Sequence, residues 1–261
     1  ASNCLERWEI PMSFTSDEMQ RLQSYVNQDA EASALFQKLL HSQDMERHKI
    51  CHEIRNPLTL LSGTLQLIES RHPEVRSFEY WDSLCQDLEY MMHLLEEFSL
   101  FNNSSSLHPE PFSFRSFMEK LVLSFAASCA NTEIEFTSLL EDLPVITGDP
   151  VKLRQALLNL FKNAVESIHG SGSVNLKAWF HDSQIHIRIQ DTGCGISEEQ
   201  LKEIFTPFFT SKSSGTGLGL PVVQNIILAH HGTVSVDSRP GFGTTFEITL
   251  PVHPGLSGDP K

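Results

Sequence analysis

Long apolar runs, basic residues and paired cysteines are what this 261-residue chain has least of. No apolar stretch approaches the ~18 residues of a membrane-crossing helix, so no membrane span is expected in it. Lys and Arg number 19 against 33 Asp and Glu, and the net charge of -14 would repel phosphate backbones. Nucleic acid is therefore not expected as a direct ligand. The five cysteines are odd in number, scattered and without a CxxC pair. That excludes a disulfide framework and a zinc ribbon, and fits reduced thiols in the cytoplasm. No signal peptide and no internal repeat is visible, and the first residue is not Met, as in a piece cut from a longer protein. What remains is an ordinary globular composition with length for one large or two ordinary domains.

The most informative stretch is His52-Glu53-Ile54-Arg55-Asn56-Pro57-Leu58. Ile50, Ile54, Leu58, Leu61, Leu65 and Ile68 recur at steps of three and four, which predicts a helix with one buried stripe. His52 lies two residues past Ile50, about 200° round the helix, and so faces away from that stripe. Asn56 follows one turn later, and Pro57 should bend the helix. Three readings compete: an exposed surface histidine, a zinc helix of the H-E-x-x-H kind, and a nucleophilic histidine with a carboxylate beside it. The zinc motif fails because position 56 is Asn. The surface reading is the common one for a chain with 12 histidines. The nucleophile is preferred only because of what lies downstream.

A helix is expected from the N-capping Thr15 or Ser16 through Leu22, Val26 and Leu39. The pattern weakens between Gln43 and Lys49, where a break could fall, and Arg71-His72-Pro73 ends the run. Trp81, Leu84, Leu88, Met91, Leu95 and Phe98 then mark a second helix with near-heptad spacing. The resulting hairpin cannot cover both apolar seams, so a homodimeric four-helix bundle is the economical solution, with a plain coiled coil as its rival. The domains read as a linker and signalling helix (1–45), a helical dimerisation region (46–103), a Ser/Asn/Pro linker (104–112), an α/β region (113–252) and a disordered tail (253–261). Within the α/β region, helices are predicted over 114–129, 150–168 and 218–230. Strands are predicted over 133–139, 174–180, 185–189, 233–237 and 244–250.

Three stretches of the α/β region point to one pocket. Asn159 and Asn163 share a helix face, and an amide oxygen is a hard, neutral ligand suited to Mg2+, although two solvated surface amides would look the same. Asp191-Thr192-Gly193-Cys194-Gly195-Ile196 follows a strand: the carboxylate can accept from an exocyclic amine while glycines let backbone approach a planar ring. Alone, that string could be a simple turn. Gly215-Thr216-Gly217-Leu218-Gly219-Leu220 opens a helix, where backbone N–H groups make a phosphate cradle that is neither a P-loop nor a dinucleotide fingerprint. Between them, Phe205 to Lys212 has the composition of a lid, with Lys212 in reach of a phosphate; Phe205 can equally be core.

In order and spacing, H-E-I-R-N-P-L, N-L-F-K-N-A, D-T-G-C-G-I, F-T-P-F-F and G-T-G-L-G-L resemble the H, N, first G, F and second G boxes of two-component sensor histidine kinases, most closely the nitrogen-regulation type. The match covers roughly residues 46 to 250. It implies a dimeric helical bundle joined to an α/β sandwich like that of gyrase, Hsp90 and MutL ATPases. It also implies His52 as phosphoacceptor, Glu53 holding the ring's δ-nitrogen proton, and Asn163 on Mg2+ with Asn159 in support. Asp191, with Gly193 and Gly195, would recognise the adenine of ATP, and Gly215 to Leu220 would hold its phosphates with help from Lys212. Thr244 would line the adenine pocket. The implied reaction is autophosphorylation from ATP, then transfer to a response-regulator receiver domain. In these kinases an acid-x-x-Asn pattern after the histidine goes with phosphatase activity, and Glu53 to Asn56 fits it. The alternatives are an ATP-hydrolysing conformational machine and a non-catalytic dimeric scaffold that binds ATP. Against the first, Asn159 stands where those ATPases carry a water-activating glutamate, and an amide cannot take the proton.

Overall fold

The computed structural model describes the backbone of residues 30–130, 132–212 and 215–252, with side chains from Lys49 onward. The expected helix start near Thr15 and the tail from His253 lie outside the described residues. The chain divides into two compact units, up to Glu53 and from Ile54. The first contributes the early turns of helix α1 (Ala30–Arg71). Its backbone is unbroken between Gln43 and Lys49, so the break considered there is absent, and helix assignment continues through Pro57.

In the second unit the rest of α1 leads through a 3-10 turn at Pro73–Ser77 into α2 (Trp81–Asn102). Proline at the start of that turn cannot donate to the preceding helix, and α1 ends at Arg71. The apolar seams are present but largely uncovered: Ile54, Leu61, Ile68, Leu84 and Met91 are exposed, and Leu88 and Leu95 are the buried residues of α2. The stripe on α1 is therefore not buried within one chain, contrary to a literal reading of its periodicity.

The α/β part is ordered β1 (Glu110–Ser113), α3 (Phe114–Cys129), β2 (Ile134–Leu140), β3 (Val145–Gly148), α4 (Pro150–Ser167), β4 (Gly172–His181), β5 (Gln184–Asp191), α5 (Glu198–Leu201), α6 (Gly219–Ala229), β6 (Thr233–Arg239) and β7 (Gly243–Pro251). Strands β2-β4-β5-β7-β6 form one sheet, antiparallel except for β2–β4. Alternate residues such as Ile185, Ile187 and Ile189 of β5 are buried, as the period of two requires. They pack with Phe125 of α3, Leu157 and Phe161 of α4, and Val223 and Ile227 of α6. Phe125 and Phe161 stack at 3.6 Å, with Phe136 edge-on to both.

Two strands were not foreseen. β1, which begins inside the expected linker 104–112 and runs one residue past it, pairs antiparallel with β3. Each is four residues long, too short for a period of two to stand out. The short capping-box helix α5 was also missed.

Candidate nucleotide site

Helix α4 builds the site's floor. Asp149 caps it, accepting from the N–H groups of Val151 and Lys152 at 3.0 Å, and Pro150 supplies a preset first turn. Asp149 also accepts from His108 N–H, and its own N–H donates to His230 Nε2 at 2.9 Å. Burial pushes its carboxyl up, yet these backbone donors win and hold it below the usual carboxylate range. With Leu153, Leu157, Leu160 and Ala164 turned into the core, the i, i+4 spacing leaves Asn159 and Asn163 half-buried on the opposite flank.

A cavity of about 810 Å3, counting its open mouth, lies over that flank. Its lining includes Asn159, Asn163 and Glu166 of α4, Ile196 and Ile204, the segment Phe209 to Lys212, and Gly215, Thr216, Gly217, Gly219 and Leu220. Asn159 Nδ2 donates to Gly219 O at 3.2 Å, tying helix to glycine loop. Lys212 Nζ reaches Asn163 Oδ1 at 3.2 Å and Glu166 Oε2 at 2.6 Å. Leu218 is fully buried, so it is the loop's backbone and not this side chain that is left to meet a ligand, and its N–H donates to Thr216 Oγ1 at 3.3 Å. Its neighbour Gly217 needs glycine: φ is +71°, and an added Cβ would strike the backbone of Phe208 and Phe209.

Asp191, Gly193, Gly195 and Thr244 are not among the residues lining this cavity; Asp191, Gly193 and Thr244 form a buried knot at the end of β5, and Gly195 is half-buried. Asp191 Oδ1 accepts from Gly193 N (2.8 Å), Ser167 Oγ (3.1 Å) and Thr244 N (3.2 Å). Among the described residues none donates to Oδ2, so that oxygen keeps its acceptor capacity. Burial pushes the Asp191 carboxyl above its ordinary range despite the three donors and the Lys212 charge. Thr244 is buried, with Oγ1 on Ser238 Oγ at 2.9 Å, so it contributes to the knot through its backbone rather than as a pocket wall. The glycines expected to admit a ring have a reason inside the protein. A Cβ on Gly193 would meet Ser167 Oγ at 1.9 Å, and one on Gly195 would meet Arg239 O at 2.1 Å.

Four participants were missed. Glu166 and Ser167 sit three and four residues past Asn163, so the helical step that paired the asparagines could have found them. Glu97 of α2 lines the cavity and accepts a hydrogen bond from Thr216 Oγ1, while Phe98 stacks with Phe208 at 6.3 Å. No local signal announces those contacts between distant segments.

His52 is exposed on α1. Glu53 makes an ion pair with Lys49, one turn back, at 3.8 Å. Asn56 is exposed as well. Among the described residues no group of three His, Cys, Asp or Glu could hold a metal ion, and no helix is long and apolar enough to cross a membrane.

Residues 48–106 match the "His Kinase A (phospho-acceptor) domain" family, and residues 148–254 match "Histidine kinase-, DNA gyrase B-, and HSP90-like ATPase". The chain is 35% identical over 207 residues to the signal transduction histidine-protein kinase AtoS of Escherichia coli (strain K12), covering 78% of this chain and 34% of that protein. It is 35% identical over 208 residues to sporulation kinase E of Bacillus subtilis (strain 168), covering 78% and 28%. The structure of full-length ShkA in complex with AMPPNP matches with a TM-score of 0.68 at 27% identity, across 80% of this chain and 46% of that one. The chain thus spans about a third or less of the length of these curated relatives. Phosphoacceptor helices, a glycine-rich nucleotide cavity and both family matches fall in one order along the sequence: the chain belongs to the two-component sensor histidine kinases, of which it carries the transmitter region.

Proposed function

We propose that this chain phosphorylates His52 from Mg-ATP, passes the phosphoryl group to an aspartate of a response-regulator receiver domain, and also dephosphorylates that regulator. The observation that carries the reading is the cavity over α4, which gathers an amide face and a glycine-rich helix start in a chain whose exposed histidine sits in a phosphoacceptor motif. The likeness to ShkA, solved with AMPPNP, supports ATP as the nucleotide.

His52, free of the core, can present a ring nitrogen to the γ-phosphate, and Glu53 can hold the other ring N–H once it leaves Lys49. Asp191 Oδ2 is suited to accept from the adenine amine, and the Gly215–Leu220 backbone to receive phosphate oxygens. Asn163 fits the metal: its amide oxygen already faces a cation, the Lys212 ammonium. Mg2+ bound there would neutralise charge on the phosphates. Asn159 spends its amide on Gly219 O and offers no base to activate water. That favours phosphoryl transfer over an ATP-hydrolysing machine. The uncovered seams of α1 and α2 support a homodimer, and dependence on ATP supports a cytoplasmic site of action.

Asn56, one turn past His52, can orient a water for in-line attack on the regulator's phospho-aspartate. Asn56→Ala should keep autophosphorylation and transfer while slowing loss of label from a receiver domain by ~10²-fold. Parallel loss of both activities with a lowered melting temperature would make Asn56 a structural residue and end the phosphatase assignment.

A further inference from the structure

We propose that Glu166 is a second protein ligand of the nucleotide's metal, and that Lys212 is the built-in cation holding this site until the metal arrives. The inference rests on the reading of the cavity as an Mg-ATP site. Glu166 and Asn163 are three residues apart on α4, so their side chains leave the same helical flank. One ammonium touches both: Lys212 Nζ is 2.6 Å from Glu166 Oε2 and 3.2 Å from Asn163 Oδ1. Two oxygens from separate side chains thus converge on a point where positive charge already sits. The other carboxylate oxygen, Oε1, lies 3.9 Å from Lys162 Nζ, which leaves Oε2 as the one turned toward Asn163 and Lys212.

A carboxylate in this place works against a polyphosphate unless a cation stands between them. It lines a cavity suited to a polyphosphate, and bare negative charge there repels the ligand. Paired with a hard divalent cation it becomes an asset. Mg2+ prefers oxygen donors, keeps several waters, and is held by one or two protein oxygens plus substrate phosphates rather than by a protein-only cage. An amide and a carboxylate on one helix flank match that need, directly or through a hydration water. The bland alternative is a surface ion pair, since Glu166 and Lys212 side chains are each 40% exposed. It accounts for Glu166 but not for Lys212 also engaging Asn163.

On this account Lys212 leaves the two oxygens when Mg-ATP enters, and its ammonium turns to the phosphates. Two opposite effects follow for one measured ratio, ATP affinity in excess Mg2+ over ATP affinity in EDTA, determined by calorimetry on the full chain. Glu166→Gln should lower that ratio by about 10-fold or more, because a metal contact is lost while repulsion of metal-free ATP is relieved. Lys212→Ala should raise it, because the competing cation is gone. Melting temperatures of both exposed-site variants should match the parent. A Glu166→Gln change equal with and without Mg2+, or a lower ratio in Lys212→Ala, would overturn the proposal while leaving the ATP site standing. Absence of Mg2+-dependent ATP binding in the parent chain would overturn both.

Discussion

Between Phe114 and Leu250 nearly every periodic apolar position is buried, down to 0% exposure at Phe114, Met118, Val174, Ile185 and Ile226. Between Ile54 and Asn102 only Val75, Leu88 and Leu95 are buried, while Ile54, Leu61 and Leu84 stand 46%, 53% and 50% exposed. Both regions carry apolar residues at regular spacing, so composition does not separate them; what differs is whether one chain can close the core. A sheet covered by α3, α4 and α6 buries its face by itself. Two helices have two seams and a single interface, which leaves apolar surface for another copy. The nucleotide region is thus complete as a fold, and the helical region is left with open apolar seams.

The sharpest way to break this comparison is to put charge on the open seam. Leu61→Asp should leave the chain monomeric in sedimentation experiments, where the parent is expected to sediment as the proposed homodimer. Each copy loses ~1.5–3 kcal/mol of leucine burial, and two-fold symmetry counts it twice. Melting of the α/β region should not move. A variant that stays dimeric would show that the exposed seam is not the interface.

The converse change is in the closed core. Phe161→Ala removes a ring stacked on Phe125 and should cost ~3–5 kcal/mol, lowering the α/β melting transition and ATP binding together. The helical region should still dimerise. If it also came apart, the two regions would be one cooperative unit and the contrast would fail.

A smaller effect sharpens the contrast between stability and function inside the closed region. Burial holds the Asp191 carboxyl above its ordinary pKa, so its ionised form costs the fold stability at neutral pH. That cost fades as pH falls through the raised value toward the unfolded one. Asp191→Asn should therefore raise the melting temperature at pH 7 by a few degrees at most and lose the gain in acid. The same substitution should abolish discrimination between ATP and GTP, because an amide can present a donor where an acceptor is needed. In the parent chain ATP affinity should decline as pH drops through the raised value. Unchanged discrimination in Asp191→Asn would remove Asp191 from base recognition.

The same contrast explains what could be read from the residues. Helical positions such as Asn159, Asn163 and His52 are fixed by a local, rigid period, and their faces follow from spacing alone. The strands of the main sheet announced themselves by alternation, but the parallel β2–β4 pairing did not, since pairing joins segments far apart in sequence. Strands β1 and β3 were too short to signal. The spacing of Gly193 and Gly195 suits a ligand ring, yet Ser167 and the Arg239 backbone already require them to be glycine. Glu97 on Thr216 and the separation of Asp191 from the cavity lining depend on tertiary placement that no local pattern encodes.

In the proposed function the closed region supplies ATP chemistry to one histidine of the open region. Incubation with γ-labelled ATP tests it most directly, comparing the parent chain with His52→Gln. The parent should gain acid-labile, base-stable label, and His52→Gln should gain none while binding ATP with parental affinity. Label persisting in His52→Gln, for instance at His93, or release of free phosphate in place of labelled protein, would contradict the account.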